Sequence, residues 1–319
     1  MNKFSHIIGK SPALESVVRS AQMIAFSDVG ILIKGPTGTG KEILATAIQQ
    51  SGPRAEQPFI KINCAALPKG VIESELFGHK KGAFTGADTD KQGLLHAANQ
   101  GTLFLDEIDA LALPVQAKLL RFLETGECLP VGDTQTITLD VRVISATNSD
   151  LDDQINQGLF RSDLYFRLNI VPLELPALNE RTEDIESLCT FYLQKFASKY
   201  GVQSAKFSTL SLKQLRSYSW PGNIRELKNL CERVSVLLPG KTLEPENIPK
   251  EFVSQLTVKH KRDISILPEA GISLDALEAD LIHQALTRTN GNRSKSARLL
   301  GISRDTLLYR IQKHALGTR

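Results

Sequence analysis

The chain has 319 residues, of which 41% are hydrophobic, 23% charged and 6% aromatic, with a formal net charge of +3. That composition excludes wholesale disorder, a collagen-like repeat and a disulfide scaffold, and the length allows two or three domains. The charge is uneven: residues 282–319 hold eight Lys/Arg against one acid, Asp305, a basic tail suited to a polyanion or to plain solvation.

In chain order, the first six residues show neither an apolar core nor a small-residue cleavage site, so no signal peptide is expected. The apolar runs 30–33 and 103–105 have strand length and are too short to span a bilayer. Cys64, Cys128, Cys189 and Cys231 share no CxxC spacing and read as reduced, structural thiols of a cytoplasmic protein. Candidate strands at 30–34, 59–63, 102–105 and 141–147 alternate with amphipathic stretches such as 41–51. That alternation predicts an α/β domain, a parallel sheet covered by helices, over residues 1–172. Residues 173–254 open on a proline-punctuated segment, show no convincing strand and read as a small helical domain. Residues 255–273 read as a linker, and residues 274–319 as a closing all-α module.

After the first strand comes Gly35-Pro36-Thr37-Gly38-Thr39-Gly40-Lys41, then a helix. This is the phosphate-binding arrangement in its strand–loop–helix setting. Glycines let successive N–H groups curl inward, the helix N-terminus adds positive potential, and Lys41 reaches the outer phosphates. Glu42 stands where Ser or Thr usually helps hold Mg²⁺. Some sixty residues on, an apolar strand ends in Asp106 and Glu107. In nucleotide hydrolases the first acid holds the metal and the second polarises the attacking water, so ATP and Mg²⁺ are the expected ligands.

Between these elements lies Gly82-Ala83-Phe84-Thr85-Gly86-Ala87. Here the sequence strongly resembles the sigma-54-dependent transcriptional activators, the bacterial enhancer-binding branch of the AAA+ ATPases. The likeness runs from about Ile7 to the C-terminus. It implies an AAA+ P-loop sheet domain with a helical lid, followed by a helix-turn-helix domain, and an acid at position 42 is common in the family. By the resemblance, the 82–87 loop contacts sigma-54 and couples nucleotide state to remodelling of the polymerase complex. An exposed Phe84 would suit that role, although a folded-back loop is the ordinary alternative. Asn63 corresponds to the asparagine that restrains Glu107, or it simply caps a turn. Thr147-Asn148 is similar to sensor I, with Asn148 feeling the γ-phosphate. Arg161 and Arg167 correspond to arginine fingers acting in trans, which requires a homo-oligomer between dimer and hexamer. Trp220-Pro221-Gly222-Asn223-Ile224-Arg225-Glu226-Leu227 matches the lid run with Arg225 as sensor II and Trp220 as a core anchor. Ile8 would pack on adenine or serve as ordinary core. Lys80 departs slightly from the family pattern.

Residues 290–310 have helix-turn-helix punctuation, with Gly301 at the turn and Ser303 as cap. Ala297, Leu300, Ile302, Leu307, Leu308 and Ile311 would form the packing seam. That leaves Arg304, Asp305, Thr306, Tyr309 and Arg310 largely available to DNA, with Ser303, Arg293, Lys295 and Lys313 completing the expected contact set. Residues near the recognition-helix N-terminus would meet base edges, and the outer Arg/Lys would hold phosphates. The module resembles the Fis-type domain ending these activators, and a preceding amphipathic helix would dimerise it. The expected function is therefore an ATP-driven activator of sigma-54 RNA polymerase holoenzyme working from enhancer DNA, controlled by a regulatory protein in trans or by abundance. Rival readings are another AAA+ remodeller, which the intact 82–87 motif disfavours, and a DNA-binding regulator with a vestigial nucleotide fold. The intact Lys41, Asp106 and Glu107 weigh against the latter.

Overall fold

Burial on both faces of short apolar strands builds the sheet. The structure, a computed structural model, describes residues 3–249, 252, 273–289 and 291–314. Five strands pair in parallel in the spatial order Phe59–Asn63, Thr102–Asp106, Arg142–Thr147, Ile31–Lys34, Val171–Glu174. Successive side chains alternate between faces. Leu32, Leu103, Leu105 and Val143 enter a core shared with helices Lys69–Phe77, Leu113–Thr125 and Ser162–Leu168. Ile31, Ile33, Phe104, Ile144 and Ala146 enter another with helices Pro12–Ile24 and Lys41–Ser51. Each fully buried Leu or Ile stabilises by about 2 kcal/mol, so these strands read as continuous apolar runs.

One expectation is corrected. The boundary at 172/173 falls inside the fifth strand, Val171–Glu174, which pairs with Ile31–Lys34. Pro172 masked it, since proline cannot donate to a ladder, but at the sheet edge that missing donor costs nothing.

Helices Ile185–Tyr200, Thr209–Ser217 and Asn223–Leu237 enclose a separate core. Trp220 lies within it, 1% exposed, donating from Nε1 to the Leu215 carbonyl at 2.8 Å. Two-residue parallel strands, Lys206–Phe207 and Thr242–Leu243, also occur in this otherwise helical region, where no strand was expected. All four cysteines are buried and free.

The C-terminal unit consists of helices Leu274–Arg288, Arg293–Leu299 and Arg304–Lys313, packed on Ile282, Ala297 and Leu307. Leu300, Ile302 and Ile311 join that seam, but Leu308 lies outside it, one residue and so about 100° round the helix from Leu307. Ser303 accepts from the Thr306 N–H, and Gly301 takes φ +69° at the turn. The expected linker lies outside the described residues except Ser273, whose side chain caps Leu274–Arg288 by accepting from the Ala276 N–H. Among the described residues no helix is long and apolar enough to cross a membrane.

Candidate functional site

The loop 35–40 leaves the C-terminal end of a central strand and feeds helix Lys41–Ser51, at the point where successive strands lie on opposite sides of the first. Ligands of open parallel sheets gather at such crevices. Lid residues hold three consecutive loop carbonyls. The Asn223 side-chain amide donates to Thr37 O at 3.0 Å, the Ile224 N–H to Gly38 O at 3.0 Å, and Arg181 Nη2 to Thr39 O at 3.1 Å. Gly38 sits at φ +81°, and a Cβ there would lie 2.4 Å from the Gly222 carbonyl oxygen, so only glycine permits this approach. Asn223 Oδ1 also accepts from the Leu178 N–H at 2.7 Å. Sequence reasoning left Arg181 and the Asn223 amide without a role. Asn223 stood in the quoted lid run, whereas Arg181 carried no sequence signal.

Lys41 is 8% exposed, and its ammonium donates to Gly35 O at 2.7 Å and Pro36 O at 3.2 Å. Burial lowers its pKa, against the opposing pull of Asp106, Glu107 and Asp109. Burial in turn raises Asp106 above the usual carboxylate value, with Lys41 acting against that rise. Asp106 Oδ1 accepts from the Glu107 N–H at 3.1 Å, while no side-chain partner of Glu107 occurs among the described residues. Glu107 itself takes φ +53°, a left-handed turn that swings the chain off the strand end. Glu42 does not stand alone at its position: Lys61 donates to its Oε1 at 3.0 Å.

Thr37, Gly38, Gly40, Lys41, Glu42, Asp106, Glu107 and Arg225 line one cavity of about 330 Å³, a volume suited to a small ligand. Tyr192, Lys195 and Lys228, which sequence reasoning did not single out, line it too. Ile7 and Ile8 border a smaller apolar hollow that also touches Thr39, Gly40 and Leu188. Asn148, at the tip of strand Arg142–Thr147, donates from Nδ2 to Thr37 Oγ1 at 2.7 Å. Asn63 ends the strand whose tip is in register with Asp106, but its Oδ1 accepts from the Ala65 and Ala66 N–H groups. In this conformation Asn63 caps a turn and does not reach Glu107.

Arg161 and Arg167 do not line the cavity of their own chain. Arg161 forms a two-point pair with Asp163 (2.7 and 3.0 Å), and Arg167 donates twice to the Leu123 carbonyl. The 82–87 loop rises from the antiparallel two-residue strands Gly78–His79 and Lys91–Gln92. The Gly82 N–H closes it by donating to Ala87 O at 2.8 Å. Phe84 is 46% exposed and meets the His79 ring edge-on at 5.0 Å, while Ala87 is buried. Phe84 therefore projects, contrary to a fully folded-back loop. Lys80 ties the stem to Asp90 at 3.0 Å and Asp133 at 3.6 Å.

In the C-terminal unit, Arg293, Lys295, Ser303, Arg304, Asp305 and Tyr309 are exposed. Arg310 and Lys313 depart from expectation: Arg310 pairs with Glu278, and Lys313 pairs with Asp275 at 2.6 Å. Their charge is taken up by the preceding helix. The Ser303 hydroxyl contacts Thr306 Oγ1 at 2.7 Å, so both oxygens serve the cap.

Residues 7–174 match the family described as the sigma-54 interaction domain, residues 179–265 the AAA+ ATPase lid domain, and residues 273–314 the bacterial regulatory proteins of the Fis family. Over 316 residues the chain is 42% identical to regulatory protein AtoC of Escherichia coli K12, covering 98% of this chain and 68% of AtoC. Over 333 residues it is 40% identical to the DNA-binding transcriptional regulator NtrC of Proteus hauseri, covering 98% and 70%. The solved structure of NtrX from Brucella abortus in complex with ATP is similar at TM-score 0.72 and 30% identity, covering 98% of this chain and 70% of NtrX. The NtrX complex with ADP gives 0.71 and 31%, covering 96% and 68%. With a phosphate loop, paired acids and a lid closing on one cavity, the chain belongs to the sigma-54-dependent transcriptional activators, AAA+ ATPases that carry a Fis-type helix-turn-helix domain.

Proposed function

We propose that this ATPase remodels the sigma-54 RNA polymerase holoenzyme from closed to open complex, driving it with the 82–87 loop while bound to enhancer DNA. The observation that carries this reading is the projecting Phe84, on a glycine-flanked tip in the same domain as the nucleotide cavity. Phe84 is the one large side chain of the hexapeptide, so it is the contact that the loop can offer a partner. Gly82, Ala83, Thr85, Gly86 and Ala87 form the frame that presents it.

In the cavity, loop N–H groups and Lys41 hold the phosphates of ATP, with the ammonium exchanging its two carbonyls for phosphate oxygens. Asn148 and Arg225 read the outer phosphate, and Ile8 packs on the base. Glu107, which has no side-chain partner among the described residues, polarises the attacking water, and Asn63 restrains it in another nucleotide state. The donor set fits a divalent cation: Asp106 engages the Glu107 N–H with Oδ1 only. Bound there, Mg²⁺ would neutralise phosphate charge. Glu42, held by Lys61, contributes a carboxylate at the cavity wall in place of the usual hydroxyl.

Arg161 and Arg167 lie outside their own cavity, which supports their action on a neighbouring protomer of a homo-oligomer. In the C-terminal unit, Arg304 and Tyr309 face base edges, with Arg293 and Lys295 on phosphates.

The test is Thr85→Ala in the full chain. It should hydrolyse ATP at the parental rate yet fail to form open complexes at a sigma-54 promoter, and unchanged activation overturns the loop's role. Turnover per protomer should also rise with protein concentration, and a flat profile argues against fingers in trans.

A further inference from the structure

The motif-based reading of the nucleotide site leaves one acid unused. Asp109 follows Glu107 by two residues, in the short turn Ile108–Ala110. The left-handed Glu107 sends Ile108 into the core, fully buried, and brings Asp109 across to the neighbouring strand tip. There Thr147 Oγ1 donates to Asp109 Oδ1 at 2.6 Å, and Ser149 Oγ donates to Oδ2 at 2.8 Å. The Ser149 N–H in turn donates to Thr147 Oγ1 at 3.0 Å. Thr147 is fully buried, so its hydroxyl has no water to turn to. Both oxygens of one carboxylate are thus engaged by the two residues flanking Asn148, and Asn148 reaches the phosphate loop through Thr37. Such charge-assisted O–H···O⁻ bonds are short and directional.

We propose that Asp109 is the positioning residue that fixes Asn148 against the phosphate loop and ties it mechanically to the turn carrying Glu107. The inference rests on the nucleotide-site reading given above and deepens it. A displacement of Asn148 by an arriving outer phosphate must move Thr147 or Ser149 and pull on Asp109. Because Asp109 and Glu107 share one tight turn, the pull reorients the water-polarising carboxylate. The field of Asp109 also reaches Lys41, on the same side as Asp106 and Glu107. Asp109 needs no contact with ATP to do this.

Six variants of the full chain test the proposal through ATPase kinetics. Asp109→Ala should lower kcat about tenfold or more while leaving the KM for ATP within about threefold, since it removes orientation rather than binding. Asp109→Asn should retain kcat within about threefold, because its amide oxygen can accept from Thr147 while its amino group donates to Ser149. Adding Asn148→Ala to Asp109→Ala should cost no more than Asn148→Ala alone, as expected of residues acting as one unit. A parental kcat in Asp109→Ala, or strictly additive losses in the double variant, overturns the proposal. Should Asp109→Ala fail to fold, Ser149→Ala carries the test. A loss of about threefold in kcat at unchanged KM supports the proposal, and parental kcat overturns it. Glu107→Gln run beside them separates the two levels. If it turns over ATP normally, the site reading itself fails; if it is inactive while Asp109→Ala is normal, only the role of Asp109 fails.

Discussion

Two glycine-rich hexapeptides, 35–40 and 82–87, lie in the same domain and use the same residue for opposite ends. In the first, two of the three glycines, Gly35 and Gly38, lie against other atoms. A Cβ on Gly35 would come within 2.7 Å of the Leu175 carbonyl oxygen, and one on Gly38 within 2.4 Å of Gly222 O. Three of its carbonyls are held by the lid. In the second, Gly82 (φ +84°) and Gly86 (φ +99°) have open space where a Cβ would go, and Phe84 projects. The first loop spends glycine on close approach, which preorganises a ligand cradle. The second spends it on backbone reach, which lets a tip protrude and change course. Glycine content alone therefore says little about rigidity; what surrounds the Cα decides it.

That contrast is open to attack by substitution. The largest effect is expected at Lys41→Ala, where loss of the buried ammonium should reduce ATP turnover about a thousandfold with the fold retained by circular dichroism. Gly38→Ala comes next. The clash with Gly222 O should cost about 3 kcal/mol, or about a hundredfold in ATP affinity by calorimetry. Asn223→Ala removes one of the three lid bonds to the loop together with the Leu178 N–H bond that orients it, and should weaken ATP about tenfold. Gly82→Ala meets no atom and pays only for its positive φ, about 1 kcal/mol, so ATPase should stay within about twofold. Equal losses of ATP affinity in Gly38→Ala and Gly82→Ala would erase the distinction between the loops.

Acid should separate the two regions more gently. Burial raises Asp106 above its ordinary value of 3.8, so its carboxylate is lost earlier than an exposed one as pH falls. Asp90, at the stem of the projecting loop, is lowered by the Lys81 N–H and then by Lys80. A lowered folded pKa means stability that is present above the unfolded value and lost only as pH falls through the folded one. ATPase should therefore decline on acidification before hydrogen-exchange protection of the stem does. The reverse order would contradict both assignments.

Much of this was legible beforehand because each signal is local. The strand–loop–helix around Lys41, the acids ending an apolar strand, and the Ser303 cap all need neighbours only a few residues away. The fifth strand was lost because Pro172 reads as a breaker, and only its edge position makes the proline harmless. Arg310 and Lys313 looked available on their own helix, but acids more than thirty residues upstream claim them. Asp109 was passed over because its partners lie some forty residues away on another strand.

The sequence by itself determined the chemistry on offer: a phosphate loop, an acid pair, a glycine-flanked aromatic loop and a basic helical tail, each written in short-range order. Tertiary structure decided which of those groups are engaged and which are free. Lid amides satisfied the loop carbonyls, Asn63 turned to cap its own chain, and Asp109 found the two hydroxyls that flank Asn148. Hydrogen-bond partners of buried polar groups are set by folding geometry, and a one-dimensional pattern carries no record of them.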